Sequence, residues 1–262
     1  MIKERLLFVA AAMTLVACSE LTPSSEAPLP ITFTSSIDDF VGGTGAQGTF
    51  RSGENINLMF TETGKRDWQL YYFTSGEDGA MNPVYTPFYP ADPATIDIVA
   101  IYPTTAGGGN LFIDSQQMYE DSYKRNDLMI ATVTNQARQE SPVKLTFTHK
   151  LAKVIVNVTP GEGISDIIFV NLLNILSIVN FDVLTGKLDS ASGPAIPITL
   201  INNSNNGAAF IPPQTLDGEF LSIETDEGTA VYSIKKKVLE SGHQYTFDVT
   251  VKHEDLGKTT AL

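Results

Sequence analysis

The sequence predicts an all-β protein built as two β-sandwiches in tandem, and three observations carry that prediction. Side chains alternate at period two: Tyr245, Phe247, Val249 and Val251 fall on one face, while Gln244, Thr246, Asp248, Thr250 and Lys252 fall on the other. Turn signals punctuate the chain at Gly42-Gly43, Ser75-Gly76, Asn82-Pro83, Gly107–Gly109, Thr159-Pro160-Gly161 and Asn202–Gly207. No long, capped helical pattern interrupts them. Many short strands with one half-buried face must pack sheet on sheet.

Taken in order, residues 1–17 read as an export signal. Lys3 and Arg5 supply the positive start, and Leu6 to Leu15 form an uncharged apolar stretch. That stretch is about ten residues, short of the roughly 20 a spanning helix needs. It ends in Leu15-Val16-Ala17-Cys18, which resembles the lipobox of bacterial lipoproteins, in which the cysteine is acylated and the peptide is cut before it. The alternative is an ordinary signal peptide with Cys18 near the cut by chance. Several acyl chains anchor durably, because each buried CH₂ contributes about 0.8 kcal/mol. Residues 18–30, rich in Ser, Pro and Glu, read as an extended tether.

The N-terminal sandwich is assigned to residues 31–140, with strands at Ile31–Thr34, Ile56–Phe60, Gln69–Phe73 and Ile96–Tyr102. A polar run ending in Pro142 marks the division. The C-terminal sandwich takes 141–262, with Val154, Val156 and Val158 alternating along one strand and others at Ile198–Ile201, Phe220–Glu224 and Ala230–Ile234. Ile164 to Val183 is apolar, yet Asn171, Asn174, Ser177 and Asn180 recur every three residues. It reads as two short strands, near Ile167–Val170 and Ser177–Phe181, with a tight connection between them.

Composition excludes several functions. With 17 basic against 30 acidic residues among 262, the net charge is −13, becoming −14 once residues 1–17 are removed. Such a surface has no basic face for phosphates, so nucleic acid is not expected as a partner. One cysteine rules out a disulfide framework and any Cys-rich metal site. The three histidines, His149, His243 and His253, have no second His or Cys within four residues. There is no Gly-x-Ser-x-Gly elbow, and Gly107–Gly109 lacks the lysine and helix of a phosphate cradle. Neither an enzyme, a metal site nor a cofactor is expected, and His149 reads as a packed structural residue. Trp68, Tyr71, Tyr72, Tyr85, Phe88 and Tyr89 cluster in the first half. The alternation of Trp68, Leu70 and Tyr72 reads as a core face; the rival is a sugar-stacking surface on a glycan-binding lipoprotein of the outer membrane.

Four stretches, in order, carry a resemblance. Leu145-Thr146-Phe147-Thr148-His149-Lys150-Leu151-Ala152-Lys153-Val154-Ile155-Val156-Asn157-Val158 resembles the signature strand of fimbrillin-family proteins, the pilins and accessory subunits of type V pili. Asp97 to Pro103, Asn126-Asp127-Leu128-Met129-Ile130-Ala131 and Phe210-Ile211-Pro212-Pro213-Gln214-Thr215 resemble further segments of the same family.

The resemblance implies two tandem transthyretin-like β-sandwiches, an outer-membrane lipoprotein and assembly into fimbriae by strand exchange. In the family, an arginine-specific protease removes an N-terminal strand and a neighbour's strand fills the groove. A vacated strand leaves unpaired backbone groups beside bare core side chains, and β-augmentation satisfies both. Carried over, Ile31, Thr32, Phe33 and Thr34 form the candidate exchangeable strand, and Arg51 is the candidate processing site. The alternative makes Arg51 a solvated turn residue in a subunit that keeps its first strand. The polar C-terminal tail, Glu254 to Thr260, lacks the family's tryptophan-bearing strand and favours an accessory, tip or anchor subunit over a shaft pilin, or else a truncated chain. The expected partners are other pilus subunits, the outer membrane through Cys18, and a host protein or glycan receptor.

Overall fold

A computed structural model of the chain describes residues 27–202 and 205–262. The expected signal peptide, Cys18 and most of the expected tether lie outside the described residues. The fold is all-β; among the described residues the one α-helix, α1 (Glu120–Arg125), has six residues.

The N-terminal unit is a closed barrel, where a sandwich was expected. Its strands are β1 (Phe33–Ile37), β2 (Asn55–Glu62), β3 (Gln69–Ser75), β4 (Ala80–Pro83), β5 (Ile96–Tyr102), then β7 (Met129–Gln136) and β8 (Val143–His149), in the ring order β1-β4-β3-β2-β5-β7-β8. The ring closes because β1 has a partner on each side. It runs parallel to β8 from Phe33↔Val143 to Ile37↔Phe147, and antiparallel to β4 only at Phe33↔Met81 and Thr34↔Ala80. The barrel core holds Ile31, Phe33, Ile56, Leu58, Phe73, Ile98, Leu145 and Phe147.

The C-terminal unit is a sandwich of two sheets. One contains β11 (Ser192–Asn202), β10 (Ile167–Asn180), β13 (Gln214–Thr225), β14 (Gly228–Leu239) and β16 (Thr259–Ala261), with β6 (Asn110–Phe112) also paired to β10. The other runs β12 (Asn206–Ile211), β9 (Ala152–Pro160), β15 (Gln244–Val251). Val154, Val156 and Val158 of β9 and Val249 and Val251 of β15 are buried, as their alternation predicts.

Three expectations are corrected. The sheets do not part at 140/141: β8 closes the N-terminal barrel, and β6, from the first half, joins the C-terminal sheet. Ile167 to Asn180 is one 14-residue strand, not two. Its register slips three times against β11, and Asn174 sits at φ 59° with its Nδ2 donating to Glu219 O at 2.9 Å. Bulges insert extra residues and reset the facing pattern, so the polar recurrence at three records irregular pairing. Leu70 and Tyr72 point outward, while Tyr71 and Phe73 of the same strand face the barrel core. Strand side chains alternate, so placing Phe73 inside forces Tyr72 out.

Strand β5 is buried on both faces. Ile96, Ile98 and Ala100 face the barrel core, whereas Val99 and Ile101 join a second core shared with the sandwich. Beside it, Ile130 of β7 enters the second core and Ala131 the first. Each Val or Ile side chain so buried contributes about 1.5–3 kcal/mol. The two units are therefore fused along an apolar seam.

Candidate functional site

The first strand and the loop after it form the site. Ile31 and Phe33 are only 1% and 3% exposed, Thr32 is exposed and Thr34 half-buried. The strand's ladder begins before β1: Tyr89 N–H donates to Leu29 O at 3.0 Å, Ile31 N–H to Pro87 O at 2.9 Å, and Val143 N–H to Thr32 O at 2.8 Å. Leu29 and Pro30, read from sequence as the end of the tether, already lie on the barrel. Phe33 meets Phe73 edge-on at 5.3 Å. On the β4 side, Ser35 Oγ donates to Gly79 O at 3.1 Å. A Cβ on Gly79 would lie 2.3 Å from Ser35 O, and its φ is +78°, so only glycine lets the two backbones approach.

After β1 the chain makes an exposed, glycine-rich loop pinched at its base by mutual Ile37–Gly48 hydrogen bonds of 2.8 Å. Asp39 organises its near side, accepting from Phe40 N–H (2.8 Å), Thr44 Oγ1 (2.9 Å) and Gly45 N–H (2.8 Å). Phe50 then returns to the barrel core against Phe147, 4.8 Å away at 88°. The next residue is Arg51, whose side chain is 70% exposed. Its carbonyl accepts from Ser75 Oγ, and its guanidinium pairs with Glu120 of α1. A hydrogen bond from Lys124 and the charge of Arg51 hold the Glu120 carboxyl below its ordinary value. A cut after Arg51 would put β1, Phe40 and Phe50 together on one separate piece, held only by non-covalent contacts.

Two residues that the sequence reading left unassigned, Phe40 and Asp127, complete the region, and a third, His149, gains a partner. The stretch resembling a single signature strand is two strands, β8 and β9, joined at Lys150-Leu151, so His149 sits where the chain passes between units. His149 Nδ1 lies 2.6 Å from Asp127 Oδ1. Burial pushes the Asp127 carboxyl up from its ordinary value, against the pull of the His149 hydrogen bond. Phe40 stacks on the imidazole at 3.7 Å and 18°. The available signal for Phe40 was an apolar Phe40-Val41 pair isolated in an Asp- and Gly-rich loop. A cavity of about 190 Å³ opens beside this cluster, lined among others by Arg51, Glu54, Tyr102, Asp127 and Phe210.

Among the described residues, no group of three His, Cys, Asp or Glu side chains converges to hold a metal ion. The other aromatic cluster divides: Tyr89 is buried and Tyr71 stacks on Phe60 at 4.5 Å, whereas Tyr72, Tyr85 and Phe88 lie at the surface.

This architecture is shared with known proteins. The family model described as fimbrillin-like matches residues 44–261, most of the sequence, and the chain belongs to that family. A Bacteroides uniformis protein, described provisionally as a cell adhesion protein, superimposes with TM-score 0.69 at 18% identity over 86% of this chain and 94% of its own. A fimbrial protein from Bacteroides ovatus gives TM-score 0.58 at 15% identity, covering 90% of this chain and 51% of that one. The tip fimbrial protein Mfa3 from Porphyromonas gingivalis, truncated at its C-terminus, gives 0.54 at 11% identity, covering 87% and 96%. At these identities the likeness is one of fold. No curated protein matches the sequence.

Proposed function

We propose that this protein is a lipid-anchored, outer-membrane fimbrial subunit (accessory, tip or anchor rather than shaft) that joins neighbours by β-strand addition. Cys18 carries the anchor, cleavage after Arg51 frees the segment bearing Ile31–Thr34, and a partner's strand takes its place. We read the two units as the tandem transthyretin-like domains of the family, the first closed into a barrel by its own leading strand. The observation that carries this reading is β1 itself. With Ile31 just ahead of it, it contributes buried Ile31 and Phe33 to the barrel, yet is held along β4 at only two residues and ends in a loop leading to an exposed arginine. Losing it would expose one side of β8 and the core beneath, a template for an incoming strand.

N-terminal sequencing of cell-associated protein tests the processing step. A start at Ser52 in assembled material supports it, whereas a start at Cys18 throughout removes Arg51 from the mechanism. Boil-resistant ladders in partly denaturing gels are the expected sign of strand-exchanged polymers.

Tyr72 and Tyr85, 54% and 76% exposed, support a second reading, surface glycan binding. Tyr72 is presented outward on β3 and Tyr85 on the bend after β4, and exposed rings of this kind stack well against sugars. Saturable binding on a glycan array, abolished by Tyr72→Ala and Tyr85→Ala, would favour it; binding unchanged in both variants would discard it.

A further inference from the structure

The segment ahead of Arg51 fills two sites in different cores. Ile31, Phe33 and Phe50 belong to the barrel core, but Phe40 belongs to the core at the seam between barrel and sandwich. Its slot is built for a flat ring. The His149 imidazole covers one face at 3.7 Å, and Phe210 lies nearly parallel at 5.8 Å. Lys153 Nζ stands 5.4 Å from the ring centroid, a cation–π distance. Asp127 fixes the imidazole through the 2.6 Å hydrogen bond to Nδ1. One residue further on, the backbone pairs with the sandwich: Val41 N–H donates to Gly242 O and Gln244 N–H to Val41 O, both at 2.9 Å. The segment is thus a strap from β8 of the barrel to the start of β15.

We propose that the Phe40 slot is a specificity pocket for the strand that replaces this segment, an inference that rests on the strand-exchange reading above. The partner it fits is an extended peptide from another subunit. That peptide carries an apolar side chain for the Phe33 position and an aromatic one seven residues away, the spacing of Phe33 and Phe40. An aliphatic side chain fills part of the volume but forfeits the stack on His149 and the attraction to Lys153. The barrel groove accepts any alternating apolar strand; the slot selects among them.

The test uses the full chain with a specific protease site built between Arg51 and Gly53, nicked with both pieces retained. Excess fluorescent peptides spanning residues 27–51 are exchanged in, as wild type, Phe40→Ala, Phe40→Leu, Phe40→Trp and Phe33→Ala. Wild type and Phe40→Trp should exchange within about threefold of each other, with Phe40→Ala and Phe40→Leu weaker by about tenfold or more. Ring-bearing peptides should also move the His149 imidazole proton resonances upfield. If Phe40→Ala exchanges as well as wild type while Phe33→Ala does not, the slot selects nothing and the proposal fails alone. If no peptide exchanges, wild type included, the strand-exchange reading fails and the proposal falls with it.

Discussion

In the barrel, β4 and β8 are joined by β1, a whole strand that comes first in the chain and lies ahead of Arg51. The sandwich protects its edges with smaller pieces. Gln117, itself buried, uses its side-chain amide against β12: Nε2 donates to Phe210 O at 2.9 Å, and Phe210 N–H donates to Oε1 at 2.8 Å. The same segment lies on β11, with Gln117 N–H donating to Thr199 O and Thr199 N–H to Ser115 O. At the far edge, β16 adds three residues to β14. The contrast is one of what removal leaves behind. Taking away β1 opens a strand-length groove into a core, whereas taking away Gln117 leaves one unsatisfied amide pair. Only the first defect has the shape of another polypeptide.

Truncating Phe33 or Phe220, each buried in one of the two units, should cost about 3–5 kcal/mol in urea unfolding. The comparison is sharpened by release of residues 27–51 from the nicked chain. Phe33→Ala should speed that release, and Phe220→Ala should leave it unchanged; equal acceleration by both would break the contrast. Gln117→Ala should cost less, about 1–3 kcal/mol in all for the Phe210 N–H and C=O left unpaired, with faster hydrogen exchange at the Phe210 amide. Gly79→Ala, strained at φ +78° and crowded by Ser35 O, should cost about 1–3 kcal/mol and loosen β1 from β4.

The smallest effect concerns pH. Partial burial raises the Asp39 carboxyl, but hydrogen bonds from Phe40 N–H, the Thr44 hydroxyl and Gly45 N–H outweigh it and hold the pKa below the ordinary 3.8. The folded loop therefore favours the ionised form. Its stabilisation is present at neutral pH and is lost as pH falls through that depressed value. Amide resonances of Phe40 and Gly45 should shift below about pH 3.8, a step that Asp39→Ala should abolish.

Much of this was legible in the residues. Alternation in Tyr245–Val251 and Val154–Val158 placed the correct faces inside, because period-two burial is written locally. The first strand was legible only in part: expected at Ile31–Thr34, it runs Phe33–Ile37, with Ile31 buried just ahead of it. Closure of the barrel was not, since it depends on β1 finding β8 more than 100 residues away, a pairing no local pattern encodes. The outward turn of Tyr72 was misread because Leu70-Tyr71-Tyr72-Phe73 is apolar throughout, and only the packed neighbours decide which alternate pair is buried. Asp127 and His149 come together from 22 residues apart across a strand connection, and Phe40 reaches them from a loop. Chemistry assembled by topology leaves only residue types behind in the sequence.

The interleaving of β6 and β8 bears on how such a chain can be recombined. A gene divided at the polar run before Pro142 yields a front fragment without its closing β8 and a rear fragment whose large sheet lacks β6. Neither half travels as a self-sufficient cassette. Chimaeras between subunits should be soluble only when the crossover falls in the Lys150-Leu151 connection and residues 110–112 keep their own β10 as partner.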